Sequence, residues 1–153
     1  MKTDFVLPME YRPLDGKGKQ LPVYYLATGE HLGIKFYVLN LNGRHPCAYV
    51  RIPKGKTLNG LGYDEAGEYL LNVHGGLTYA EDNLKCVTND DESWFLGWDY
   101  GHCWDYAGYF MRDKNSYIES HMKKWTTEEI VNECKDVCES VHSLWKANGE
   151  VND

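Results

Sequence analysis

Thr126-Thr-Glu-Glu-Ile-Val-Asn-Glu-Cys-Lys-Asp-Val-Cys-Glu-Ser-Val-His-Ser-Leu-Trp-Lys146 is the stretch that decides the fold. Thr126 and Glu129 have capping-box spacing, in which hydroxyl and carboxylate each accept an N–H left without a partner at the start of a helix. Trp125 and Ile130 are placed as a hydrophobic staple around that box. Ile130, Cys134, Val137, Val141 and Leu144 then recur at helical spacing, which predicts a helix from Thr127 to about Lys146 with one apolar stripe. The stripe needs a partner surface, and the rest of the chain offers only strand-like segments. The expected fold is one α+β domain over residues 1–153, a mainly antiparallel sheet packed against a long C-terminal helix (126–146). The tail from Ala147 is expected to fray.

The strand-like segments lie upstream. Ile34 to Leu41 carries β-branched and aromatic residues on both faces, as an interior strand does. Asn42-Gly43 is a turn signal, and Cys47 to Ile52 reads as the returning strand of a hairpin. His45-Pro46 is expected in that turn, with the His45 ring at the surface. Tyr69 to Val73 and Trp94 to Trp98 read as further strands, Gly97 marking a bulge or a close backbone approach. Residues 1–33 hold Pro8, Pro13, Pro22 and a polar run, and are expected to be irregular, with at most short edge strands near Phe5–Leu7 and Val23–Leu26. Leu77 to Glu92 reads as an irregular acidic loop.

Composition bounds the function. A chain of 153 residues folds as one domain without staples, and no apolar run approaches the ~18 residues of a membrane span. The first residues are too short and acidic for a signal peptide, so a soluble, cytoplasmic protein with no membrane partner is expected. Sixteen basic against 23 acidic residues give a net charge of −7, which repels a phosphate backbone and argues against direct nucleic-acid binding. Arg44, Arg51, Lys54 and Lys56 form either a solvated hairpin face or a pocket for a small anion. The five cysteines include no CxxC pair and their number is odd, which fits free thiols in a reducing compartment. Cys134 and Cys138, one helical turn apart, are read as small core residues in preference to a metal pair.

The chemistry concentrates in two places. Trp94 to Tyr106 begins as an apolar aromatic run and then sets Asp99, His102 and Asp105 three residues apart. Residues three apart on an extended chain point to opposite sides, so only a turn at Gly101 can make them converge. About twenty residues upstream, His74-Gly75-Gly76-Leu77-Thr78 follows a histidine with two residues free to take positive φ. These two segments define the expected site: His45, His74, Gly75, Gly76, Thr78, Trp98, Asp99, His102 and Asp105.

His45-Pro46, the His-Gly-Gly-Leu-Thr of 74–78, the Trp94-Phe95-x-Gly97-x-Asp99-x-x-His102-x-x-Asp105 run and the Glu-Ile-Val-Asn-Glu-Cys-Lys of 129–135 occur in order over roughly residues 34–141. Together they resemble a family of small phage and prophage proteins with a His-Gly-Gly-(Ile/Leu)-Thr motif, generally without an assigned function. In that family a cysteine usually follows the aspartate matching Asp99, and a glycine precedes the one matching Asp105; Tyr100 and Trp104 stand there instead. The resemblance implies a phage-type accessory protein in the host cytosol, where such proteins often counter host defence by binding or degrading nucleotide immune signals.

Three functional readings follow. In the first the protein sequesters a small nucleotide-like ligand: N–H groups at Gly75, Gly76 and Leu77 form an anion nest, His74 or His102 adds a donor, and rings such as Trp98 stack on a base. In the second, His74, Asp99, His102 and Asp105 hold Zn²⁺ or Mn²⁺ and the protein is a metal-dependent phosphodiesterase, those four residues being its catalytic set. In the third it is an acidic inhibitor of a host nucleic-acid enzyme, with Asp64, Glu65, Glu68, Glu81, Asp82, Asp90, Asp91 and Glu92 as phosphate mimics. Each polar residue also has a purely structural use, as a turn cap or a satisfied core histidine. A homo-oligomer is compatible with all three readings, since subunit contacts can complete a pocket.

Overall fold

The computed structural model of the chain describes residues 23–41, 45–84, 93–105 and 122–151. Strands β1 (Val23–His31), β2 (Ile34–Leu41), β3 (His45–Pro53), β4 (Tyr79–Glu81) and β5 (Ser93–Asp99) form one antiparallel sheet in the order β1-β2-β3-β5-β4. A short helix α1 (Tyr63–Gly67) follows β3, and α2 (Thr127–Ala147) closes the fold. This is the expected α+β domain. No described helix is long and apolar enough to cross a membrane.

Strand alternation gives the sheet two different faces. Ile34, Phe36 and Val38 of β2, Ala48, Val50 and Ile52 of β3, and Leu96 and Trp98 of β5 share one core with Ile130, Cys134, Val137, Val141 and Trp145 of α2. Leu39, Cys47, Tyr49 and Phe95 form a second cluster with Leu84 on the opposite face. The capping box is present, with the Thr126 side chain accepting from the Glu129 N–H and Glu129 accepting from the Thr126 N–H. Cys138 and Trp145 are buried in the stripe, whereas Leu144 is only partly covered.

Several expectations are corrected. Val23–His31 is a full edge strand, so the irregular N-terminal segment does not extend to residue 33; β1 and β2 are joined by Leu32 and Gly33, both at positive φ (53° and 78°). Tyr69 to Val73 forms turns that pack Leu70 and Val73 into the core, and the strand in this region is the shorter β4. His45 and Pro46 are the first residues of β3 and pair with β2. Gly97 does mark a close approach, of a ring and of backbone: a Cβ there would lie 2.4 Å from Tyr49 Cδ2 and 3.0 Å from the Ala48 carbonyl oxygen, and Tyr49 and Tyr79 meet edge to face across it. The tail is tied down, because Glu150 accepts from the Thr57 N–H at 2.7 Å and the Trp145 indole donates to the Thr57 carbonyl at 2.9 Å. The expected turn at 42–43 and the segments near Phe5 and Cys86 lie outside the described residues.

Candidate metal centre

Topology brings the two chemical segments together. β4 runs antiparallel to β5 with Tyr79 opposite Gly97, so the start of β4 meets the end of β5. The Thr78 N–H extends this pairing to the Gly97 carbonyl at 2.9 Å. The turn carrying His74 is thereby laid beside the loop carrying His102 and Asp105. A third segment joins them: the Lys123 N–H donates to the Trp104 carbonyl at 2.8 Å, which sets Trp125 next to Asp105.

Asp105 is the hub. Its residue is 4% exposed, and its carboxylate accepts from His74 Nε2 (2.9 and 3.1 Å), His102 Nδ1 (2.9 Å), the His102 backbone N–H (3.0 Å) and Trp125 Nε1 (2.9 Å). Burial alone would raise its pKa, but the hydrogen bonds from His74, His102 and Trp125 outweigh it and hold the carboxyl down at about 2. An ionised carboxylate only accepts, so the facing nitrogens of both rings carry protons in this state. The His74 ring stacks on Tyr100 (centroids 4.7 Å apart) and meets Trp125 edge to face (4.8 Å). That packing leaves it little rotational freedom.

Gly101 makes the turn the motif requires. Its N–H donates to Asp99 Oδ1 at 3.0 Å, and a Cβ on it would lie 2.8 Å from the His45 ring. Asp99 faces the other side of His102, with Oδ1 3.8 Å from Nε2, and its second oxygen accepts from Thr78 Oγ1 at 3.3 Å. His102 therefore has a carboxylate at each ring nitrogen. Gly75, at φ 69°, leaves room for that ring, because a Cβ there would sit 2.2 Å from His102 Nε2.

One potential ligand atom from each of His74, His102 and Asp105 lies within 4.8 Å of the other two. Two imidazoles and one carboxylate suit Zn²⁺ or Mn²⁺, and three protein ligands leave positions open for water or substrate. If His102 binds through Nδ1, its proton moves to Nε2, where Asp99 already waits. A carboxylate behind a ligating histidine orients the ring and raises its basicity. Asp99 thus belongs behind the ligands instead of among them, with Thr78 and Gly101 fixing it in turn.

Other expected site residues are placed differently. Trp98 is 1% exposed, and its Nε1–H donates to the Tyr100 hydroxyl at 3.0 Å; it lies in the core and offers no face to a ligand. The Gly76 N–H closes a turn to the Val73 carbonyl at 2.9 Å, so the expected three-donor nest is not formed. His45 packs beside Gly101, near Cys47, and outside the three-residue cluster. Asp64 and Glu65 lie on α1 and Glu81 on β4, which separates the acidic residues into distinct elements; Asp90, Asp91 and Glu92 fall outside the described residues.

Tyr100, Trp125 and Glu133 were not legible as site residues. The Glu133 carboxylate lies near the Tyr100 hydroxyl and the His74 backbone N–H, and burial raises its pKa. Its position three residues after Ile130 and four before Val137, at the border of the apolar stripe, was the available signal. A cavity of about 460 Å³ opens here between the turn and α2, lined by Asn72, Val73, His74, Glu133, Asp136 and Val137 among others. No family model, curated protein or solved structure matches the chain.

Proposed function

We propose that the chain is a metal-dependent hydrolase acting on a phosphodiester of a small nucleotide-like ligand, with His74, His102 and Asp105 as ligands of one divalent ion and Asp99 as the residue that positions His102. The convergence of two imidazoles and a carboxylate from two separate chain segments carries this reading. Charge ranks it above metal-free sequestration. The Gly76 N–H is taken up in a turn, Asp99, Asp105 and Glu133 lie around the histidines, and nearby Lys123 is engaged with Glu129 (3.0 Å) and the Trp125 ring (3.9 Å). A phosphate approaching these carboxylates needs a cation to offset them. A divalent ion supplies that charge, polarises a phosphoryl oxygen and activates water. The resemblance to phage proteins adds the biological setting, removal of a nucleotide immune signal.

Titrating chelator-treated protein with Zn²⁺ and Mn²⁺ in a calorimeter, then incubating the loaded protein with bis(p-nitrophenyl) phosphate and a panel of cyclic nucleotides, tests the proposal. One equivalent of ion and metal-dependent cleavage are expected, both lost in His74→Ala and His102→Ala. Absence of stoichiometric metal sinks it. The cavity beside His74 supports sequestration as the second reading, and nucleotide recovered intact after heat denaturation of a metal-loaded complex would select it.

A further inference from the structure

The cavity beside His74 has walls that a metal ion does not need. Leu70 and Val73 from the turn and Val137 from α2 give it apolar sides, while Glu133, Asp136 and Ser140 line it from one face of α2, at positions i, i+3 and i+7. Its volume of about 460 Å³ falls in the roughly 300–1,000 Å³ range of small-molecule sites. The Glu133 carboxylate lies near the Tyr100 hydroxyl and the His74 backbone N–H. Among the described residues, no Lys or Arg forms an ion pair with Glu133 or Asp136.

A cavity lined by both apolar side chains and carboxylates fits a flat group that is apolar on its faces and carries N–H donors along its edge. We propose that this cavity binds a guanidine-type fork, two parallel N–H donors on one plane, as found in a guanidinium compound and along the N1–H and N2 amino edge of guanine. The fork matches a carboxylate with two parallel hydrogen bonds. A phosphate or carboxylate is repelled, and the adenine edge sets an acceptor beside its one donor group, opposing a lone pair to a carboxylate oxygen. Because His74 forms a wall of the cavity and a ligand of the neighbouring centre, a guanine nucleotide seated here would direct its phosphate side toward the ion. That last step rests on the metal-dependent reading above; fork binding itself needs no metal.

Calorimetry on chelator-treated protein with guanosine, inosine, adenosine and methylguanidine tests the inference. Guanosine is expected to bind saturably and inosine, which lacks the N2 amine, at least about tenfold more weakly, as for one lost hydrogen bond to a charged acceptor. Adenosine is expected not to bind. Asp136→Asn, at an exposed position that leaves the fold undisturbed, and Glu133→Gln should each weaken guanosine by a similar factor. Binding of methylguanidine alone assigns the fork to a guanidinium compound, and binding of guanosine to a nucleobase. No saturable binding of either, equal affinity for inosine, or an unaffected Asp136→Asn overturns it. Mn²⁺ titration of the same samples separates the two proposals: uptake without fork binding removes only this one, and fork binding without uptake removes only the metal centre.

Discussion

Asp105 shows how much one buried side chain can organise. Its four N–H donors come from two rings, an indole and the backbone, so Asp105→Ala strands several half-buried donors at once. A loss of about 3 kcal/mol in urea unfolding is expected, and a smaller loss for Asp105→Asn, whose amide oxygen still accepts. The pH dependence has a definite sign. The folded carboxyl sits at about 2, below the unfolded value of ~3.9, so its stabilisation is complete above ~4 and fades as pH falls toward 2. The gap between wild type and Asp105→Ala should close over that window in metal-free protein; a gap constant down to pH 2 would show that the ionised form is not what matters. Asp99→Asn should lower metal affinity about 10- to 100-fold with little change in stability, because it acts on His102 from behind. The sequence displayed His74, Asp99, His102 and Asp105 because glycines and regular spacing marked them. It hid Trp125, whose place before a capping box already explained it, and the division of Asp99 from Asp105 into different roles depends on how the loop after β5 turns at Gly101.

The long helix was the most legible element because its signals are local. Capping box, stripe and length all fall within about twenty residues, and α2 ends one residue from where the spacing puts it. Thr126→Ala should cost about 1 kcal/mol. Glu129 shares in the cap: hydrogen bonding to the Thr126 N–H and to Lys123 holds its carboxyl below the usual range, so the contribution is present above the unfolded pKa and is lost as pH falls through the lower folded value. Helix content followed by circular dichroism should therefore respond less to mild acid in Glu129→Gln, whose amide oxygen still accepts but does not titrate, than in wild type. The cysteines of α2 report burial directly. Burial pushes the Cys138 thiol up to about 12 and Cys134 well above its ordinary value, whereas Cys103 is exposed, so iodoacetamide at pH 8 should label Cys103 and spare the helix pair until the protein unfolds. Strands were harder to read, since pairing partners make them and those partners are distant. β1 contains Gly29 and Glu30 and turns through Leu32 at positive φ, features that argue against a hairpin locally. Its ladder with β2 overrides them. Tyr69 to Val73 has strand-like residues, but in the fold they surround turns that feed Leu70 and Val73 to the core.

At the scale of the molecule, the site exists only where the sheet order places it. His74 precedes β4, His102 and Asp105 follow β5, Trp125 precedes α2 and Glu133 lies on it, so the cluster and its supports come from three separate parts of the chain. In the unfolded chain, 31 residues separate His74 from Asp105, and an ion gains nothing from their proximity. Metal should then bind the native state almost exclusively and stabilise the fold as a unit, by RT ln(1 + [M]/Kd), or about 2.7 kcal/mol at a free concentration 100-fold above Kd. Hydrogen exchange measured with and without Mn²⁺ checks this. Slowest-exchanging amides of β2, β3 and α2, none of which touches the ion, should be protected by the same free energy as those of the loop at 100–105, and the increment should vanish in His102→Ala. Protection confined to the two site loops would mean instead that the ion only orders local turns, and that the rest of the fold is indifferent to whether the centre is filled.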